Sequence, residues 1–246
     1  MPSLPPFVRE AVLDALAVLA PTECSGCGEP DRALCASCRE ALEPVPALVE
    51  LPEFRVWAAL DYASAPRAVL LAFKDGGRTD AARALGAALR ASVVAALHDA
   101  ALHDAAPRDA APRDGPGGVH IATVPSSREA FRRRGYRPVE LLLARAGLRS
   151  ERVLRPVRPT ADQASLGVAQ RALNRAGSLR AVPRAAGRSY LLVDDILTTG
   201  STLREAARAL RAAGARVVGG AVVARTERRD GLNGWDGDTG RFTGDL

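Results

Sequence analysis

Residues 191–210 read LLVDDILTTGSTLREAARAL. Leu191, Leu192 and Val193 make a short apolar run of the kind that forms a buried strand. Asp194 and Asp195 follow, and the pattern predicts that both leave the sheet there together. After Ile196 and Leu197 come Thr198, Thr199, Gly200, Ser201 and Thr202, a run of hydroxyls around one glycine. Thr202 and Glu205 stand at capping-box spacing, which predicts a helix starting at Thr202 and running on Leu203, Ala206, Ala207 and Leu210. Gly214 is its expected stop.

A strand, a small-residue loop and a helix start make a cradle for an anion. First-turn amides point outward there and the helix dipole favours negative charge. Hydroxyls add donors, and Gly200 lets the backbone come close to a ligand. Two carboxylates beside such a cradle would repel a bare phosphate. They suit a ligand that brings sugar hydroxyls or a cation with it. The expectation is a phosphorylated sugar bound with magnesium.

The 246 residues around this stretch suffice for one substantial core and a small appendage. Aromatic residues make up only 4%, so no stacking platform for nucleic-acid bases stands out. Lysine occurs once, at Lys74, among many arginines, and the net charge of +6 suits a phosphate-bearing ligand or nucleic acid. No leader pattern is seen and no apolar run looks long enough to span a bilayer, so a cytoplasmic location is expected. Cys24, Cys27, Cys35 and Cys38 form two close CxxC pairs, which predict four thiolates around one structural zinc. All four positions of that shell are taken by protein, so no site is left for substrate.

An amphipathic helix is expected within residues 1–20, the zinc module over 21–45, and a proline-punctuated connection over 43–52. The main domain is expected over 53–226. In it, strands are predicted at 55–62, 119–124, 153–154, 189–193 and 216–224, with helices at 66–74, 79–97, 138–146 and 167–176. Residues 98–118 repeat His or Arg, Asp and Ala around three prolines and are expected to be a disordered insertion with solvated His98 and His103. The tail over 230–246 is also expected to be disordered. Alternating strands and helices predict an α/β fold with a mostly parallel sheet, whose ligands bind at the carboxyl ends of strands. Two loops then matter: 194–202, and the basic loop 125–137 holding Arg128, Arg132, Arg133, Arg134 and Arg137. Ser126 and Ser127 are candidates for a second anion nest at the start of that loop.

LLVDDILTTGSTL resembles the 5-phosphoribosyl pyrophosphate (PRPP) motif of type I phosphoribosyltransferases. The four cysteines, the FKDGG segment and the RRRGY loop are together similar to the ComF family, associated with DNA uptake in competent bacteria. The resemblance implies that Asp194 and Asp195 hold ribose hydroxyls and that Thr198, Thr199, Gly200, Ser201 and Thr202 wrap the 5'-phosphate. It places Ser126, Ser127 and Arg128 near the pyrophosphate, and Arg132 in a mobile hood with a catalytic part beside Asp194 and Asp195. Gln163, Leu166, Arg171 and Asn174 match positions the family keeps. After the glycine–aromatic pair the family has asparagine and glutamine, whereas this chain has Arg137 and Pro138. Two functions remain open at this point. One is magnesium-dependent transfer of ribose 5-phosphate to a nitrogen nucleophile. The other is binding of single-stranded DNA or competence machinery, with the phosphosugar pocket vestigial or a sensor.

Overall fold

The computed structural model describes residues 23–103, 118–157 and 177–226. The helix expected within 1–20, most of the insertion, the 167–176 helix with Gln163, Leu166, Arg171 and Asn174, and the tail lie outside them. In chain order the elements are α1 (Ala36–Glu40), β1 (Ala47–Leu51), β2 (Phe54–Asp61), α2 (Ser64–Lys74), α3 (Ala82–His103) and β3 (His120–Thr123). They continue with α4 (Arg128–Arg134), α5 (Pro138–Arg145), β4 (Leu154–Pro156), β5 (Leu179–Ala181), β6 (Ser189–Leu197), α6 (Ser201–Ala212) and β7 (Arg216–Arg225).

Among the described residues one five-stranded sheet has the order β1-β2-β7-β6-β3, and β4 pairs with β5 in a small second sheet. The β2–β7, β7–β6 and β6–β3 pairs are parallel and only β1–β2 is antiparallel. This is the mostly parallel α/β sheet that the alternating pattern predicts. Both faces are covered, as a parallel sheet requires. Leu191 and Val193 of β6 pack with Leu70 and Phe73 of α2, Leu85 and Leu89 of α3 and Leu142 of α5. Tyr190 and Leu192 face the other way, toward Leu203, Ala206 and Leu210 of α6 and Leu154 and Leu179 of the small sheet. Each fully buried leucine here contributes about 1.5–3 kcal/mol.

Four expectations are corrected. The connection over 43–52 contains a strand, β1, paired in register with β2 from Ala47–Ala58 to Leu51–Phe54. It is the sheet's edge, where flanking prolines remove no ladder bond. Helix α3 continues to His103 rather than giving way to the insertion at residue 98. Its alanines favour helix, and Asp99 is anchored by Arg55 at 2.8 Å. The same helix is also long and apolar enough to cross a bilayer by length and composition, against the expectation of no such run. Its face carrying Leu85, Leu89 and Val93 is buried in the core described above. Finally, β6 does not end at Val193. Asp194, Ile196 and Leu197 still pair with Val222, Ala224 and Arg225, because β7 runs on beside them and satisfies their backbone.

Candidate functional site

Strands β6 and β3 lie side by side and parallel, so the segments that follow them emerge together at the sheet's carboxyl edge. After β6, Thr198 and Thr199 are exposed while Gly200 is buried. Thr199 Oγ1 donates to Ser201 Oγ at 3.1 Å and accepts the Ser201 amide at 3.4 Å, which shapes the turn into α6. Helix α6 starts one residue earlier than its sequence signals suggest, at Ser201, after Gly200 in the left-handed region at φ 73°.

The N-cap residue of α6 is Gly200, which has no side chain with which to cap it. The expected Thr202–Glu205 capping box does not form. Glu205 is buried instead and accepts from the Leu179 amide at 2.9 Å and from Arg208 at 2.7 Å. It ties α6 to the small sheet. Burial alone would raise its carboxyl, but the bonds from Arg208 and the Leu179 and Gly177 amides prevail and hold it below its ordinary 4.5. Gly200 also has a different reason to be glycine. A Cβ there would stand 2.9 Å and 3.0 Å from the δ-carbons of Leu51, so the neighbour it must clear is the edge strand of the protein itself.

Asp194 Oδ1 accepts the Asp195 amide at 2.9 Å. Asp195 Oδ2 meets the ammonium of Lys74 at 2.8 Å, with 15% and 22% of the two side chains exposed. Lys74 is the last residue of α2, and the neighbouring Asp75 accepts from Arg134 at 2.9 Å and from Arg133 at 3.1 Å. The hydrogen bond from Arg134 is the main reason the Asp75 carboxyl titrates below its ordinary value. Tyr136 donates its hydroxyl to the Phe73 carbonyl and packs its ring 5.6 Å from that of Phe73. Three segments thus converge: the end of α2, the acidic end of β6 with its hydroxyl loop, and the basic stretch after β3.

That basic stretch is not an open loop. It forms α4, with Ser127 as N-cap accepting the Ala130 amide at 3.0 Å and Gly135 closing it at φ 75°. Ser127 therefore serves the helix start, and Ser126 sits half-buried in the turn before it. Arg128 is the first residue of α4, Arg132 and Arg133 are exposed on it, and Arg134 is mostly covered. Arg137 lies over the Phe131 ring at 4.6 Å, and Pro138 occupies the first turn of α5. Arg137 and Pro138 thus serve packing on the Phe131 ring and helix initiation. Lys74 and Asp75 are the site residues to which sequence reasoning assigned no role. The available signal was the chain's one lysine, next to an aspartate and two glycines.

The cysteine cluster forms as its spacing predicts. The four Sγ atoms of Cys24, Cys27, Cys35 and Cys38 all lie within 4.8 Å of one another, and three of the four residues are buried. A tetrahedral four-thiolate shell with metal–sulfur bonds of about 2.3 Å needs sulfurs about 3.8 Å apart, so the set fits a structural metal site. Gly26 is required there, since a Cβ would stand 2.5 Å from Cys38 Sγ. Burial raises the Cys24 thiol, yet bonds from the Cys35, Cys27 and Gly26 amides bring it to about 6. Burial and the neighbouring thiols push Cys38 up, so the fully ionised set calls for a cation. Ala65 of α2 packs against the cluster.

Residues 141–238 match the family described as phosphoribosyl transferase domain. The chain carries a phosphoribosyltransferase-like domain. Over 37 residues it is 62% identical to adenine phosphoribosyltransferase of Rhodococcus jostii (strain RHA1), 15% of this chain and 21% of the relative. The same figures hold for adenine phosphoribosyltransferase of Rhodococcus opacus (strain B4). The chain thus spans about a fifth of the length of these curated relatives. The phosphoribosyltransferase-like domain and the N-terminal cysteine cluster are two parts of one chain, joined where the cluster rests on α2.

Proposed function

We propose that this chain binds PRPP at the carboxyl edge of its sheet and transfers ribose 5-phosphate from it to a nitrogen nucleophile. The observation that carries this reading is the junction of β6 and α6. It delivers two aspartates and then a hydroxyl turn directly onto the start of a twelve-residue helix whose N-cap residue is a glycine. Hydroxyls of Thr198, Thr199 and Ser201 and first-turn amides of α6 hold the 5'-phosphate, helped by the helix dipole. Asp194 and Asp195 accept from the ribose hydroxyls. Transfer breaks the bond from the anomeric carbon to a pyrophosphate oxygen, which leaves with the electron pair, and the attacking nitrogen later gives up a proton. Arg132 and its neighbours on α4 stabilise the negative charge that develops on the leaving group. Magnesium would add charge neutralisation at the pyrophosphate, and the carboxylates of Asp194 and Asp195 are the hard oxygen donors it prefers. The cluster of four cysteines holds one zinc in a purely structural role. The four cysteines and the RRRGY segment support a reading of the chain as ComF-like, and a cytoplasmic setting goes with that reading.

A second reading is a nucleic-acid surface on α4. It is favoured by the exposure of Arg132 and Arg133 on α4, Arg133 keeping 66% of its side chain exposed even while it pairs with Asp75. Calorimetric titration with PRPP, with and without magnesium, and then with single-stranded DNA separates the two. For the transferase-like reading, Asp195→Asn should weaken magnesium–PRPP binding by about ten- to a hundredfold and leave inorganic phosphate binding intact. Equal PRPP affinity in the folded variant counts against it.

A further inference from the structure

Lys74 and Asp75 carry opposite charges on consecutive residues, and each is spent on a different part of the site. The Lys74 ammonium sits on Asp195, the carboxylate assigned above to the sugar and its metal. The Asp75 carboxylate sits on Arg133 and Arg134, next to the arginine assigned to the diphosphate. Arg134 has only 14% of its side chain exposed, and its Nε is buried without a hydrogen-bond partner among the described residues. A buried guanidinium with an unused N–H is a donor that Asp75 alone does not satisfy.

A cation on the acidic strand end and an anion on the basic helix is the charge pattern of a metal-bound diphosphate. We propose that Lys74 and Asp75 are a built-in stand-in for a metal-chelated diphosphate, holding the site until a ligand carrying both charges displaces them together. The proposal rests on the phosphosugar reading above and narrows its ligand. Displacing only one pair leaves the other member of the dipeptide pulling on a half-buried partner with no replacement charge. The site therefore selects a diphosphate carrying its divalent cation over a monophosphate or a metal-free diphosphate. No bond is made or broken in the exchange.

The test is calorimetry on the full chain with inorganic pyrophosphate, at zero and at saturating magnesium, with inorganic phosphate as control. Asp75→Asn keeps the shape and removes the competing charge. It should bind magnesium-free pyrophosphate about three- to fivefold more tightly than the unmodified chain, the scale of a partly exposed pair. Lys74→Met should reach half-saturation with pyrophosphate at severalfold lower magnesium, and Lys74→Arg should behave as the parent. Inorganic phosphate, held by the hydroxyl turn, should bind all of them equally. Weaker pyrophosphate binding by Asp75→Asn would overturn the proposal, because Asp75 would then be orienting the arginines rather than competing for them. A parent chain that binds neither PRPP nor magnesium–pyrophosphate removes the phosphosugar reading itself. If Lys74→Met fails to fold by circular dichroism, Asp75→Asn decides alone.

Discussion

Gly200→Ala is the sharpest probe of how the loop is built. Gly200 holds φ at 73°, and an added Cβ would approach the Leu51 δ-carbons at 2.9 Å and 3.0 Å and Leu197 Cδ1 at 3.5 Å. The left-handed backbone costs an alanine about 1–2 kcal/mol. Crowding adds about 1 kcal/mol of overpacking, since the atoms met are the ends of a leucine side chain that can give slightly. The sum is about 2–3 kcal/mol, which for a domain of this size lowers the melting midpoint by roughly 5–10 °C. Thermal and urea unfolding followed by circular dichroism measure it. Leu51→Ala removes the crowding atoms, and by itself costs about 2–5 kcal/mol. The double variant should therefore lose about 1 kcal/mol less than the two single losses added. Strict additivity, to within roughly 0.3–0.5 kcal/mol, would refute the contact. Unchanged stability with lost phosphate binding would refute it more completely, because Gly200 would then serve the ligand and not Leu51.

Freshly purified, reduced protein should carry about one zinc per chain, and Cys38→Ser should lose it and loosen the N-terminal module before the sheet; elemental analysis without zinc would count against the site. Glu205→Gln should cost about 1–3 kcal/mol near neutral pH. Because the folded state holds this carboxyl below 4.5, its stabilisation is complete above that pH and is lost as pH falls through the folded value, so the gap to the parent should close in acid. A gap that stays constant from pH 7 to below pH 4 would contradict that origin. Replacing Arg132 and Arg133 with alanine, leaving the mostly covered Arg134 in place, should weaken magnesium–PRPP binding if α4 serves the diphosphate. If α4 is a nucleic-acid surface, the same variant should lose single-stranded DNA binding and show a shallower salt dependence, with PRPP unaffected.

Local pattern alone was enough for much of this chain. The apolar runs at 191–193 and 216–224 announce β6 and β7, and Pro138 announces the start of α5. Two CxxC pairs announce a thiolate cluster, since a short loop between them leaves few ways to arrange four sulfurs. Each of these features is encoded within a few residues, by periodicity, by a fixed φ or by short spacing. Tertiary structure decided the rest. Strand β1 reads as a proline-broken connection until β2 lies beside it and supplies hydrogen bonds to its one paired edge. Asp194 and Asp195 read as loop residues until the length of β7 extends β6 past them. Glu205 has the spacing of a cap, but the Leu179 amide and Arg208 compete for the same carboxylate and, in a buried setting, win. The pairing of Lys74 with Asp195 and of Asp75 with the arginines joins segments far apart in the chain. A residue's type states which charge it carries; only the packing of α2 against the sheet decides which partner that charge meets.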